Sequence, residues 1–246
     1  MDDKGGSMSV VSWQRQGSVA VLSMNNGENR HNPVYVAEML AAFDQMEADA
    51  EVKSVVLSSS DAKNWSLGID LAWIQAAAAD RARHDELRAF LNGLNQVFAR
   101  VLTFPAPVIA AIAGHAFGNG AILACACDFR VMRSDRGFFC FPEVDVNIPF
   151  LPGMLAIVEK AVPMYKLEEL YFSGKRAGGQ ELLDHHIASA APEGAEATLQ
   201  SAVALAGGFQ KPRGVFGEIK RRKHAPILAI FSGADQEVIR RLSLTA

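Results

Sequence analysis

The chain has 246 residues, 50% of them hydrophobic, and carries a formal net charge of −3. That length and apolar content support a large core in one or two domains, and the mild acidity gives no footing for a nucleic-acid or membrane-surface protein. Three cysteines are too few for a disulfide framework, and no apolar run reaches the ~18 residues of a membrane span.

Residues 1–7 (MDDKGGS) precede a second methionine and read as a tag remnant outside the fold. Apolar patterning over 10–16 and 19–24, broken at Gly17, predicts a hairpin. After a polar loop over 25–32, Pro33 suits a helix start, and Val36, Met39, Leu40, Phe43 and Met46 recur at helical spacing. A strand is expected over 52–58, a loop over 59–66, and then a helix capped by Asp70. An amphipathic helix over 84–101 precedes Pro105 and Pro107. The apolar run 108–113 reads as a strand buried on both faces. A glycine-rich turn over 114–120 leads into an alanine-rich helix, with short strands at 129–132 and 138–141. Beyond Pro152 only helices are expected, over 153–161, 166–172, 195–205, 215–222 and 234–242. This rhythm predicts an α/β fold, with a core domain over 8–190 and a C-terminal helical region over 191–246. Cys125 and Cys127 lack zinc-site spacing and read as small buried residues.

Three segments can carry chemistry. In 114–128, Gly118 and Gly120 let the backbone turn sharply, and the free N–H groups of the next helix suit an anion or a developing oxyanion. The alternative is a packing turn. Neither G-x-G-x-x-G nor a Walker lysine is present. In 64–71, Gly68 permits an unusual backbone conformation and Asp70 fits an N-cap, so by itself the segment reads as structural capping. In 139–149, Glu143 and Asp145 are acids in an apolar stretch. A buried carboxylate there has a raised pKa and can act as a base, and at spacing i, i+2 the two share a face if extended. Taken alone they read as strand-end or loop acids. His115 reads as structural or pocket-lining, and Ser66 as capping or packing.

In this order the three segments resemble the crotonase (enoyl-CoA hydratase/isomerase) superfamily, over about residues 10–190. Trp65-Ser66-Leu67-Gly68-Ile69-Asp70-Leu71 is similar to F-S-A-G-x-D-L. Gly114-His-Ala-Phe-Gly-Asn-Gly-Ala-Ile-Leu-Ala-Cys-Ala-Cys-Asp128 is similar to G-x-A-x-G-G-G-x-x-L-A-x-x-C-D. The resemblance implies a spiral core of ββα units with a C-terminal helical region. It implies an acyl-CoA thioester as substrate, with no cofactor beyond the coenzyme A that the substrate carries and no metal. Two backbone N–H groups would hold the thioester oxygen, assigned by position to Leu67 and Asn119, where the family usually has a small residue and a glycine. Ser66, Gly68, Ile69, Asp70, Gly118 and Ile122 would line the site. Arg30 and His31 fall where the family runs beside the CoA nucleotide, so they meet a phosphate or stand in a solvated loop. The basic run 220–223 meets CoA phosphate or forms a solvated helix face.

Hydratases of the family use two glutamates. One of those positions is Ile122 here, and the other is Glu143. A single carboxylate suits proton shuttling without an ordered water, as in a Δ3,Δ2-enoyl-CoA isomerase, with Asp145 left open as a helper. The run 136–149 is similar to monofunctional isomerases, and residues 150–154 stand where hydratases carry a glycine-rich loop. Another crotonase-type reaction (hydratase, hydrolase or decarboxylase) and a non-catalytic CoA-binding protein are the alternatives. The resemblance also implies a homotrimer or hexamer, with no nucleic-acid or membrane partner. A cytoplasmic location is expected, because no signal pattern opens the chain and Leu-Thr-Ala at the end is not Ser-Lys-Leu.

Overall fold

One path repeated three times organises the chain in the computed structural model, which describes residues 9–61 and 63–242. Residues 1–7, expected to stand outside the fold, lie outside the described residues. In chain order the strands are β1 (Val11–Gln16), β2 (Val19–Met24), β3 (Ser54–Ser59), β4 (Asn64–Ser66), β5 (Val108–Ile112), β6 (His115–Phe117), β7 (Phe129–Met132) and β8 (Phe139–Cys140). The helices are α1 (Pro33–Ala48), α2 (Leu71–Ala79), α3 (His84–Thr103), α4 (Asn119–Ala126), α5 (Glu143–Val146) and α6 (Pro152–Ala161). They continue as α7 (Met164–Ser173), α8 (Gly179–Asp184), α9 (Ala195–Gly207), α10 (Arg213–Ser232) and α11 (Ala234–Arg241).

The expected β1–β2 hairpin forms, and β3, β5 and β7 extend it in parallel to the order β1-β2-β3-β5-β7. β4, β6 and β8 form a second, parallel sheet. The repeated unit is therefore a large-sheet strand, a small-sheet strand and a helix: β3-β4-α2, β5-β6-α4, β7-β8-α5. This is the ββα spiral that the resemblance implies. The expected loop 59–66 and the expected turn 114–120 each contain a small-sheet strand, β4 and β6. Such short pieces show no alternation of their own and exist through their partners.

Period-two burial assigns the two faces of the large sheet. Ala20, Leu22, Val55, Leu57, Val108 and Ala110 join the main core with α1 and α3. Val19, Val21, Val56, Ile109, Ala111 and Val131 instead pack on Ala202 and Ala206 of α9. The run 108–112 is thus buried on both faces, as its unbroken apolar character requires.

Two expectations about the C-terminal helices need correction. α10 does not end near residue 222 but continues through Pro226. The lost hydrogen bond and clash cost about 3 kcal/mol. Burial of Ile227 and Phe231 just beyond offsets this at about 1.5–3 kcal/mol each. The basic run 220–223 is also divided. Lys220 is 3% exposed; its Nζ lies 2.5 Å from Asp128 Oδ2 and donates to the Val101 and Ala106 carbonyls at 3.0 and 3.4 Å. It meets neither phosphate nor solvent, and pins α10 to the ends of α3 and α4. Arg221 and Arg222 pair with Glu218 on the surface. Among the described residues no helix is long and apolar enough to cross a membrane.

Candidate active site

The loop after β4 is shaped by residues 28–31, which run beside it. The Leu67 N–H donates to the Glu28 carbonyl at 3.0 Å, His31 N–H to Gly68 at 2.7 Å, and Asp70 N–H to His31 at 2.9 Å. Asp70 then caps α2 as expected, its side chain accepting from Trp73 N–H at 3.0 Å. This lacing corrects the expectation for Leu67, whose N–H is already committed. His31 and Ile69 form an isolated parallel bridge, made by the Gly68 carbonyl and the Asp70 N–H. Ile69's own N–H therefore points the opposite way. Among the described residues it has no acceptor. Leu67 contributes its side chain to the cavity wall instead.

The second segment turns at Gly118, whose φ of +51° and ψ of −125° suit glycine. Asn119 opens α4, and among the described residues its N–H has no acceptor, as expected at a helix start. A Cβ on Gly68 (φ +75°) would stand 2.7 Å from the Phe117 carbonyl oxygen and 2.8 Å from Asn119 N. Only a glycine lets the 67–70 loop press on this turn. Gly68→Ala should therefore cost about 1–3 kcal/mol of stability through strain and displacement, read as a lowered thermal midpoint. The far end of α4 is held by two cations. Lys160 donates to the Cys125 and Cys127 carbonyls at 2.8 and 2.9 Å, and Arg130 to the Ala124 and Cys127 carbonyls at 3.1 and 3.0 Å. They satisfy the orphan carbonyls and oppose the negative end of the helix. Cys125 and Cys127 are buried there as expected, which pushes their thiols up to about 11 and 12.

Glu143 is not a strand-end acid but the first residue of α5, a single helical turn. A Cβ on Gly118 would lie 3.4 Å from its Oε1, while its Oε2 is buried and, among the described residues, unpaired. Burial pushes its pKa up to about 7. The helical turn also separates the two acids, which share a face only if extended. Asp145 is exposed, its carboxylate lies against Gly174, and it does not line the cavity that Glu143 enters.

That cavity has a volume of about 310 Å³, with Leu67, Ile69, Ile74, Leu91, Ile122 and Met154 among its walls and Gly118, Asn119 and Glu143 at one side. Ile122 is fully buried on α4. Glu143 is the one ionisable residue among the described residues lining this cavity. The space can thus hold an apolar chain beside two unspent N–H groups and one carboxyl poised to exchange a proton near neutral pH.

The remaining expected residues fall elsewhere. His31 does not face a nucleotide. It is 1% exposed, and burial drives its pKa down to about 3, so the ring is neutral. It lies against Ser66 and Asn119. Ser66 Oγ donates to the Asn29 carbonyl at 2.8 Å and accepts from Gly68 N–H at 3.1 Å, the packing role expected of it. Arg30 pairs with Glu28 at 2.8 Å and reaches the Ile69 carbonyl at 3.4 Å. The His115 Nδ1 accepts from Phe138 N–H at 3.2 Å, and the residue stands outside the cavity. Sequence reasoning missed Ile69 as the outward-facing N–H and the pairing of His31 with Asn119. Only the register between 28–31 and 66–70 gives either away.

The chain matches the enoyl-CoA hydratase/isomerase family over residues 14–224. It is 31% identical over 199 residues to enoyl-CoA delta isomerase 2, peroxisomal, of Arabidopsis thaliana, covering 80% of this chain and 83% of that relative. It is 32% identical over 207 residues to the mitochondrial Delta(3,5)-Delta(2,4)-dienoyl-CoA isomerase of Homo sapiens, covering 81% of this chain and 62% of that protein. In fold it resembles an apo enoyl-CoA isomerase of Mycobacterium tuberculosis, with a TM-score of 0.83 at 24% identity over 95% of this chain and 98% of that one. An enoyl-CoA hydratase of Bacillus halodurans aligns with a TM-score of 0.83 at 19% identity, covering 95% and 94%. With a crotonase-like fold and a match spanning most of its length, the chain belongs to the enoyl-CoA hydratase/isomerase family.

Proposed function

We propose that this enzyme shifts the double bond of a 3-enoyl-CoA to the 2-position, with Glu143 as the proton shuttle. The observation that carries this reading is that Glu143 is the one ionisable residue among the described residues lining the 310 Å³ apolar cavity, with Ile122 on the α4 wall where a second acid would be needed. In a 3-enoyl thioester the C2 proton is acidified by both the thioester and the alkene. The Glu143 carboxylate takes that proton. The Ile69 and Asn119 N–H groups receive the charge that develops on the thioester oxygen. The protonated Glu143 then returns the proton to C4 on the same face. An isoleucine at 122 neither binds a proton nor orients water, so hydration lacks its second carboxylate. Relatives named enoyl-CoA delta isomerase support the same reading. A homotrimer or hexamer belongs to it too, supported by the exposed apolar residues Met164, Tyr165 and Phe172 on α7.

The test is mass spectrometry of 2-enoyl-, 3-enoyl- and 3-hydroxyacyl-CoAs incubated with the protein in deuterated water. A 3-enoyl-CoA should become a 2-enoyl-CoA, separated from it by chromatography, with little added water, and the deuterium at C4 reports how far the Glu143 carboxyl exchanges with solvent before it returns the proton. Rapid hydration of a 2-enoyl-CoA with no shift of a 3-enoyl-CoA overturns the reading.

A further inference from the structure

We propose that His31 is a positioning residue that locks the two oxyanion donors into one fixed relation. The proposal rests on the reading above, in which Ile69 and Asn119 donate to the thioester oxygen. The His31 ring stacks on Tyr35 with centroids 4.2 Å apart and planes 11° from parallel. Its Nε2 lies 3.0 Å from Ser66 Oγ, and its Nδ1 lies 2.7 Å from Asn119 Nδ2.

The protons can be assigned along this chain. The Asn29 carbonyl only accepts, so the Ser66 hydroxyl donates to it. Ser66 Oγ then accepts from His31 Nε2–H, which leaves Nδ1 bare to accept from Asn119 Nδ2–H. Each link is satisfied by a neutral imidazole, the form that burial enforces. One end of the chain reaches the loop three residues ahead of Ile69, and the other ends on the second donor residue itself. A glycine at 119, usual in the motif that this segment resembles, has no side chain with which to complete that link. In this chain the pair His31–Asn119 spans the two halves of the clamp.

The experiment compares His31→Leu, His31→Gln, Asn119→Ala and the double variant His31→Leu/Asn119→Ala. The readouts are kcat and KM on a 3-enoyl-CoA, and affinity for acetoacetyl-CoA, an enolisable thioester, against free CoA. Leu removes both links, and Ala removes one while keeping the main-chain N–H. Each should lower kcat ~10- to 100-fold, since a donor displaced by ~1 Å loses that much. Acetoacetyl-CoA affinity should fall ~10-fold while KM and free CoA affinity stay within ~3-fold. Gln can accept from Asn119 and donate to Ser66, so it should recover most of the loss. The double variant should lose little more than either single one.

Equal loss in the Leu and Gln variants, additive losses, or a parallel fall in free CoA affinity would overturn the proposal. If His31→Leu fails to fold, Asn119→Ala and His31→Gln decide it alone. Wild-type protein that binds acetoacetyl-CoA with this variant pattern, yet never shifts a 3-enoyl-CoA, keeps the clamp and removes the isomerase reading. Wild-type protein that does not bind acetoacetyl-CoA removes the clamp.

Discussion

Glu143→Gln should lower isomerisation of a 3-enoyl-CoA by about 10³-fold while leaving acyl-CoA affinity within a few-fold. Glutamine fills the same volume beside Gly118 and keeps an oxygen and a polar head, so the cavity is preserved. What it loses is the ability to hold a proton at C2 and release it at C4. The pH dependence has a definite sign. Burial raises the Glu143 carboxyl to about 7. Below that pH it is protonated and cannot act as a base, so kcat/KM should climb as pH rises through about 7 and level off above it. No second ionisable residue is described in the cavity wall, so the free enzyme should show one ascending limb. Stopped-flow or coupled assays across that range check both points, and the Gln variant should lack the inflection. Unchanged turnover in Glu143→Gln would remove this residue from the reaction.

Lys220→Met should destabilise the fold by about 3–5 kcal/mol, the cost of leaving a partly buried carboxylate without its charge partner. Asp128 also accepts the Val108 N–H at 2.8 Å, so its position at the foot of β5 is shared with the backbone. Removing the ammonium also leaves the Val101 and Ala106 carbonyls without that donor. For a chain of this size the thermal midpoint should fall by about 6–20 °C, read by calorimetry or circular dichroism. Arg222→Met on the same helix breaks only an exposed i, i+4 pair with Glu218. It should shift stability by no more than about 0.5 kcal/mol. Equal midpoints for the two variants would show that Lys220 carries no structural charge.

Elements with a long period were legible in the sequence. The β1–β2 hairpin, α1 after Pro33 and the long α3 declare themselves through several repeats of one pattern, and β5 through an unbroken apolar run. β4 and β6 are three residues long, below any readable period, yet with β8, which falls inside the expected strand 138–141, they set the spacing of the whole site. Glycine and acid motifs placed Gly118, Asn119 and Glu143 around one cavity, with Gly68 packed against the turn behind it. Which N–H of the 67–70 loop is unspent was not legible, because it depends on pairing with a segment nearly 40 positions earlier. Burial of Lys220 and His31 was hidden for a related reason. Each is a polar residue in a polar run, and only the partner across the fold, Asp128 or Asn119, distinguishes it from its solvated neighbours.

The three-turn spiral has a mechanical consequence. The 67–70 loop, the Gly118 turn and the Glu143 turn each leave the end of a strand in the same small sheet. Ser66 pairs with Ala116, and Phe117 pairs with Cys140. Neighbouring strands lie about 4.8 Å apart by main-chain hydrogen bonding alone. The sheet thus acts as a jig that fixes the pitch between the pieces, while Leu67, Ile74, Leu91 and Met154 only upholster the space beside it. Retooling those four side chains should change which chains fit without moving the jig.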